Sequence, residues 1–170
     1  MSGTTFRLLP LNATHDREQF TSGSDPLDAY LQKQVSQDVR RRVTACFVAL
    51  TNEQRIAGYY TLASASMLLS DLPPDIGRKL PRYPTVPAVC MGRLAVDQAF
   101  QGCGLGGALL ADALYRSAHA EIAAYALIVD AKAETAVEFY RHHGFMVLPN
   151  SPMTLFLPLA TVTPSRKMVR

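Results

Sequence analysis

The sequence predicts a mixed α/β layer structure, and three observations carry that expectation. The chain has 170 residues, enough for one domain with an ordinary core. Hydrophobic residues make up 48% and charged residues 18%, which excludes a disordered chain and a disulfide-stapled miniature. Runs rich in β-branched and aromatic residues alternate with helix-spaced apolar residues in the order β, α, β, β, β, α, β, α, β, β. That order is a mixed layer structure and not a regular βαβ array.

Each element has a local signal. Residues 6–9 read as a short strand. Asp25-Pro26 opens a helix, a capping side chain followed by Pro at the first helical position. Leu27, Tyr30, Leu31, Val35 and Val39 continue it at helical spacing, and it ends in Arg40-Arg41-Arg42. Residues 44–50 and 56–63, with Asn52 between them, read as an antiparallel pair. Pro73, Pro74, Pro81, Pro84 and Pro87 exclude continuous helix from residues 70–87, leaving room for one helical turn at 75–79. A strand follows at 86–96, a helix at 104–120, and a short buried strand at 126–129. A helix at 133–143 is stopped by Gly144. Strands at 145–148 and 153–157 close the series.

Composition sets further bounds. No apolar run reaches the roughly 20 residues that span a bilayer, and the N-terminus lacks the apolar segment of a secretory signal. The three cysteines, Cys46, Cys90 and Cys103, have no C-x-x-C spacing. They fit a reducing cytoplasm and argue against a structural metal. The net charge of +3 is a weak overall field, so the placement of cations matters more than their total.

The sharpest local feature is Gln101-Gly102-Cys103-Gly104-Leu105-Gly106-Gly107, set between a strand and a helix. Glycines let a ligand approach the backbone, and a helix N-terminus offers unpaired N–H donors and a positive dipole end. Together they suit a phosphate or pyrophosphate. A Walker loop is excluded, because Gly106-Gly107-Ala108 stands where Gly-Lys-Ser/Thr would be. Gly102, Gly104 and Gly107 satisfy the dinucleotide spacing, with Asp130 ending the next strand. Against that reading, residues 97–101 separate strand from loop, and only one helix remains after Asp130.

The other spacing, Q-x-x-G-x-G at Gln101, Gly104 and Gly106, resembles the pyrophosphate loop of the GNAT acyltransferases, which bind acetyl-coenzyme A. Met91-Gly92-Arg93-Leu94-Ala95-Val96-Asp97 looks like that family's central strand. Ala136-Val137-Glu138-Phe139-Tyr140 through Gly144-Phe145 looks like its late helix, with F-Y-x-x-x-G-F. Two motifs in the right order are far more specific than either alone. The resemblance implies a mostly antiparallel central sheet with helices on both faces, as one domain over residues 1–170 with 160–170 a loose basic tail.

The resemblance also implies site roles. Leu94, Ala95 and Val96 would lie along the pantetheine arm. Gln101, Gly102, Cys103, Gly104, Leu105, Gly106 and Gly107 would hold the pyrophosphate, with Ala136 and Phe139 contributing from the late helix. Tyr140 would be catalytic, since a phenol can protonate the thiolate that leaves a thioester; the alternative is aromatic packing beside Phe139. Glu134, Glu138, His142 and His143 are candidate bases, none of them distinguished from a solvated helix face. Cys103 at a helix start could offer an acyl-cysteine route, with a small loop residue as the simpler reading.

Further segments narrow the resemblance. Phe20, Gly23, Leu27, Asp28, Leu31 and Gln37-Asp38, then Gly58-Tyr59-Tyr60-Thr61-Leu62, and the ending from Met153 to Leu159 look like the acetyltransferase toxins of type II toxin–antitoxin systems. Those toxins acetylate the α-amine of the amino acid on charged tRNA and block translation. Gln101 stands where many relatives have Arg. The resemblance implies aminoacyl-tRNA as substrate, a ribbon-helix-helix antitoxin as partner and no membrane association. Arg40, Arg41, Arg42, Arg78, Lys79, Arg93 and Arg141 are candidate tRNA contacts, with Arg82, Lys132 and a tail of Arg166, Lys167 and Arg170. Most such residues in proteins are simply solvated. A surface of the type of Tyr59, Tyr60 and Phe156, expected exposed, suggests a homodimer. Two alternatives stay open: a GNAT enzyme for a small amine such as an antibiotic or polyamine, and a non-catalytic module binding coenzyme A or an antitoxin and DNA.

Overall fold

The computed structural model describes residues 5–162. Arg166, Lys167 and Arg170 of the expected basic tail lie outside the described residues. The strands are β1 (Arg7–Pro10), β2 (Ala45–Leu50), β3 (Ile56–Leu68), β4 (Thr85–Val96), β5 (Ala126–Asp130), β6 (Met146–Leu148) and β7 (Ser151–Pro158). The helices are α1 (Asp25–Ala29), α2 (Val35–Arg40), α3 (Pro74–Gly77), α4 (Leu105–Ala118) and α5 (Glu134–His142). The strands form one sheet in the order β1-β2-β3-β4-β5-β7-β6. Pairs β1–β2, β2–β3, β5–β7 and β6–β7 are antiparallel. This is the expected mixed, mostly antiparallel α/β fold; strand boundaries shift by a residue or two except in β3, which ends at Leu68 and not at residue 63.

The chain divides into two compact units. One holds the described residues up to Ala63 together with Met91–Ala113, and the other holds Ser64–Cys90 together with the described residues from Leu114 on.

In the first unit, β2 carries the register: Leu9 sits opposite Val48 and Phe47 opposite Tyr60. Its core gathers Phe20, Tyr30, Leu31, Val35, Val48, Ile56 and Tyr59. Tyr59 and Tyr60 were expected at the surface, yet both are 0% exposed. Successive strand residues point to opposite faces, so both faces of β3 are covered here. The Tyr59 hydroxyl donates to the Leu27 carbonyl at 2.7 Å, and the Tyr60 hydroxyl donates to Asp112 Oδ2 at 2.6 Å. One phenol is therefore satisfied by α1 and the other by α4. Gly58 makes the α4 approach feasible: a Cβ there would stand 2.8 Å from Leu109 Cδ1 and 3.0 Å from the Ala95 carbonyl oxygen.

The first helix departs from its expected form. Ser24, not Asp25, is the N-cap residue, and its side chain makes no capping bond. Asp28 ties the entry instead, accepting from the Ser22 amide at 2.9 Å and the Ser22 hydroxyl at 2.7 Å. Between α1 and α2 the chain widens into a π-helical turn, Tyr30–Gln34. Tyr30, Leu31 and Val35 are all buried, as their helical spacing predicts, although the turn that carries them is wider than an α-helix. After α2 the Val43 amide donates to the Asp38 carbonyl at 3.1 Å and the Arg42 amide donates to Val39 at 3.0 Å. That is a Schellman closure, with Arg42 held at φ 62° where glycine is usual.

In the second unit, Met67, Leu72, Val86, Ala126, Leu148 and Phe156 form the core. Phe156 is also 0% exposed, a second correction to the expected dimer surface. It sits opposite Ile128 on β5 and Met146 on β6, so β7 is an interior strand with neighbours on both sides. β3 runs beyond residue 63 to Leu68, with Ala65 and Met67 inward and Ser64, Ser66 and Leu68 exposed. The proline-rich stretch holds the single turn α3, and the Leu69 amide closes it by donating to the Pro84 carbonyl at 3.0 Å.

Candidate functional site

The glycine loop begins where β4 ends, and Asp97 fixes that junction. Asp97 is 0% exposed. Its carboxylate accepts from the Thr21 amide at 3.0 Å, the Ala99 amide at 2.9 Å and Arg55 Nη2 at 3.2 Å. In the sequence Asp97 reads as the end of the GNAT-like central strand and the start of a polar spacer. Its signal was an acid directly after a strand, placed to cap the short 3-10 turn Gln98–Phe100. Gln101 then donates through Nε2 to the Val96 carbonyl at 2.9 Å and to the Ser22 carbonyl at 3.0 Å. Its amide therefore shapes the loop, while the loop backbone remains for a ligand.

Gly102 and Gly104 have φ of +80° and +87°, and a Cβ at either would meet nothing within 4 Å. Side chains there would stand in the open space over the loop, at a strained φ. The Ala108 amide makes the first helical bond, to the Gly104 carbonyl at 3.1 Å. The amides of Leu105, Gly106 and Gly107 thus stand ahead of the ladder, at the positive end of α4. The Leu105 side chain is buried, so only its backbone can serve a ligand. Cys103 is exposed, and its thiol donates to the Phe100 carbonyl at 2.9 Å. On β4, Leu94 and Val96 share one half-buried face, and Ala95 is buried in the core on the other.

In the second unit α5 carries Tyr140. Val137 and Tyr140 are buried, and Ala136 and Phe139 are half-buried. Tyr140 meets Phe139 edge-on at 5.3 Å between ring centroids and Phe145 at 5.5 Å. Burial, with a smaller effect from Cys90, pushes the phenol up to about 12. It is therefore protonated throughout the neutral range, a proton donor and not a base. The turn after it is fixed by the Phe145 amide donating to the Tyr140 carbonyl at 3.1 Å, with Gly144 at φ +94°. Of the candidate bases, Glu134, Glu138, His142 and His143 are all exposed. His143 Nδ1 lies 2.9 Å from the Phe139 carbonyl oxygen.

The expected cations divide by environment. Arg40, Arg41, Arg42, Arg78, Lys79 and Arg141 are exposed. Arg93 instead lies over the Tyr30 ring, its guanidinium carbon 3.5 Å from the centroid, a cation–π contact. The Tyr30 hydroxyl donates to Asp38 at 2.7 Å and Gln34 Nε2 donates to the same carboxylate at 3.0 Å. Those two bonds hold Asp38 below the usual carboxylate range. Among the described residues no group of three or more His, Cys, Asp or Glu could hold a metal ion.

Comparison with known proteins agrees with this geometry. The family model described as an acetyltransferase (GNAT) domain matches residues 42–147. A Mycobacterium tuberculosis protein named tRNA-acetylating toxin is 38% identical over 144 residues, covering 84% of this chain and 85% of its own. A solved structure of AtaT complexed with acetyl-methionyl-tRNAfMet superposes with a TM-score of 0.88 at 28% identity, covering 95% of this chain and 99% of that one. A Tyr-to-Phe mutant of AtaT, bound to the C-terminus of the antitoxin AtaR and acetyl-CoA, superposes with a TM-score of 0.80 at 25% identity, covering 95% of this chain and 98% of that one. With the family model matching residues 42–147 and a tRNA-acetylating toxin 38% identical over most of both chains, this protein belongs to the GNAT acetyltransferases.

Proposed function

We propose that this chain is an acetyl-CoA-dependent N-acetyltransferase of the toxin type, acting on the α-amine of aminoacyl-tRNA and so blocking translation. The observation that carries the substrate class is the likeness, over most of both chains, to a tRNA-acetylating toxin. The chemistry rests on this chain's own residues. The amides of Leu105, Gly106 and Gly107 and the open backbone at Gly102 and Gly104 fit a pyrophosphate. The β4 backbone at Leu94 and Val96 suits an extended amide-bearing arm, with Ala136 and Phe139 as apolar contacts. Acetyl-CoA would supply an acetyl group activated as a thioester, with the coenzyme thiol as leaving group.

Tyr140 holds the proton that the departing sulfur takes. The candidate bases Glu134, Glu138, His142 and His143 are all exposed, and nothing marks one of them as a base. An α-amino group, with a pKa of about 8, is substantially neutral near pH 7.5, whereas a lysine side chain near 10.4 is neutral about one time in a thousand. A site without a base thus favours an α-amine acceptor. Arg40, Arg41, Arg42, Arg78, Lys79 and Arg141 are exposed, where they would meet tRNA phosphates.

The reading extends to one GNAT domain over residues 1–170, a cytoplasmic location, a ribbon-helix-helix antitoxin and a homodimer. No helix among the described residues is long and apolar enough to cross a membrane. The homodimer loses the surface expected to carry it, since Tyr59, Tyr60 and Phe156 are core residues. The deciding experiment supplies purified protein with labelled acetyl-CoA and total charged tRNA. Label should appear on the aminoacyl group, and uncharged tRNA and free amino acids should stay unlabelled. Efficient acetylation of small amines, with charged tRNA untouched at low salt, would replace this reading by the small-amine enzyme.

A further inference from the structure

The connection from β3 to β4 encloses a groove of about 690 Å³, wholly within the second compact unit. Leu68, Leu72 and Pro84 contribute apolar surface, and Tyr83, Arg78 and Arg82 line it as well. Tyr83 is 69% exposed and Leu68 52%, an unusual outlay of apolar surface for one short segment. Arg82 Nη2 donates to the Arg78 carbonyl at 3.3 Å, which steadies one guanidinium without neutralising it. No carboxylate is among the lining residues. The frame is stiff: Leu72 belongs to the core, Leu69, Ile76 and Leu80 pack against it, and the Leu69–Pro84 bond closes the loop.

We propose that this groove docks the unpaired 3′ end of an RNA substrate, with a base stacked on Tyr83 and backbone phosphates on Arg78 and Arg82. The inference rests on the aminoacyl-tRNA reading above and names a binding site for it. An apolar trough with a free aromatic ring, two guanidinium planes and no acid is complementary to a flexible polyanion that carries flat apolar faces. Duplex RNA keeps its bases stacked and offers no such face. A second copy of this chain, meeting the groove about a two-fold axis, would set Arg78 and Arg82 against their own equivalents.

The test measures binding of the full chain to deacylated total tRNA, intact or trimmed of its unpaired 3′ nucleotides, at fixed low salt. Tyr83→Ala should weaken binding of intact tRNA roughly five- to a hundredfold and leave trimmed tRNA unchanged. Tyr83→Phe, which keeps the ring, should bind intact tRNA as the parent does. Arg78→Gln with Arg82→Gln should reduce the salt slope for intact tRNA by about 1.4. Thermal melting checks that each variant is folded. Equal losses on both RNAs, or none on either, overturn the proposal. So does a Tyr83→Ala variant that changes sedimentation while binding tRNA normally, which would assign the groove to a second copy. A parent protein that acetylates charged tRNA alongside an unaffected Tyr83→Ala variant rejects the groove alone. A parent that acetylates no charged tRNA rejects the wider function, and the difference between intact and trimmed RNA still reports on the groove.

Discussion

Gln101 Nε2 lies 2.9 Å from the Val96 carbonyl oxygen, so the first residue of the glycine loop is tied back to the last residue of the strand before it. The same amide holds the Ser22 carbonyl at 3.0 Å. A leucine at this position keeps the bulk and loses both bonds. Gln101→Leu should weaken acetyl-CoA binding several-fold by calorimetry and cost about 2 kcal/mol of stability, the net worth of two ordinary hydrogen bonds. An unchanged affinity would show that the loop holds its shape without the clip.

Gly104 tests the loop from the ligand side. Gly104→Asp introduces a carboxylate into the open space above the backbone and strains a residue at φ +87°. Acetyl-CoA binding should be abolished in a protein that still melts cooperatively. Retained binding would remove the pyrophosphate from this loop.

Tyr140→Phe keeps the ring contacts with Phe139 and Phe145 and removes the proton. Acetyl transfer should fall at least about tenfold, in the direction of general-acid contributions, with acetyl-CoA affinity nearly unchanged. Because burial pushes the phenol up to about 12, the parent enzyme should show no loss of rate between about pH 8.5 and 9.5. Rate should instead rise to about pH 8 as the acceptor amine deprotonates. A falling limb near pH 9 would mean that some other group supplies the proton.

Stability has its own pH dependence. Burial pushes the Cys46 thiol up to about 12, pushes Tyr140 to about 12, and raises Tyr30 and Tyr59 as well. In the unfolded chain these groups ionise near their ordinary values, about 8.5 for a thiol and 10 for a phenol. Their contribution is complete below those values and is lost as pH rises toward the folded ones, because the unfolded state then binds fewer protons. Urea midpoints should decline steadily above about pH 9, and Cys46→Ala should remove the earliest part of the decline. A midpoint that stays level to pH 10.5 would contradict this.

Arg42 separates stability from substrate binding. At φ 62° it closes α2 in a conformation that costs a side chain about 1 kcal/mol. Arg42→Gly should raise the melting temperature by about 2–4 °C. It should also weaken charged-tRNA binding and flatten its salt dependence, if Arg42 meets a phosphate. A stabilised variant with parental tRNA affinity would leave Arg42 as a solvated cation.

The order of elements, the glycine loop, the helix carrying Tyr140 and the stop at Gly144 are all legible in the amino-acid sequence. All of these are written in local signals: proline positions, glycines that need positive φ, and the spacing of apolar residues along one element. The same local reading placed Tyr30, Leu31 and Val35 on one helical face but missed the π-helical turn at Tyr30–Gln34, because no local signal announces the wider hydrogen-bond spacing. It misplaced Tyr59, Tyr60 and Phe156 at the surface, because a strand pattern does not say whether one face or both will be covered. Tertiary structure decided that Arg93 rests on Tyr30, that Asp97 gathers Thr21, Ala99 and Arg55, and that Tyr140 is buried enough to keep its proton. Each of these joins or encloses residues far apart in the chain, and the free energy that selects them comes from burial and pairing that exist only once the layers have closed.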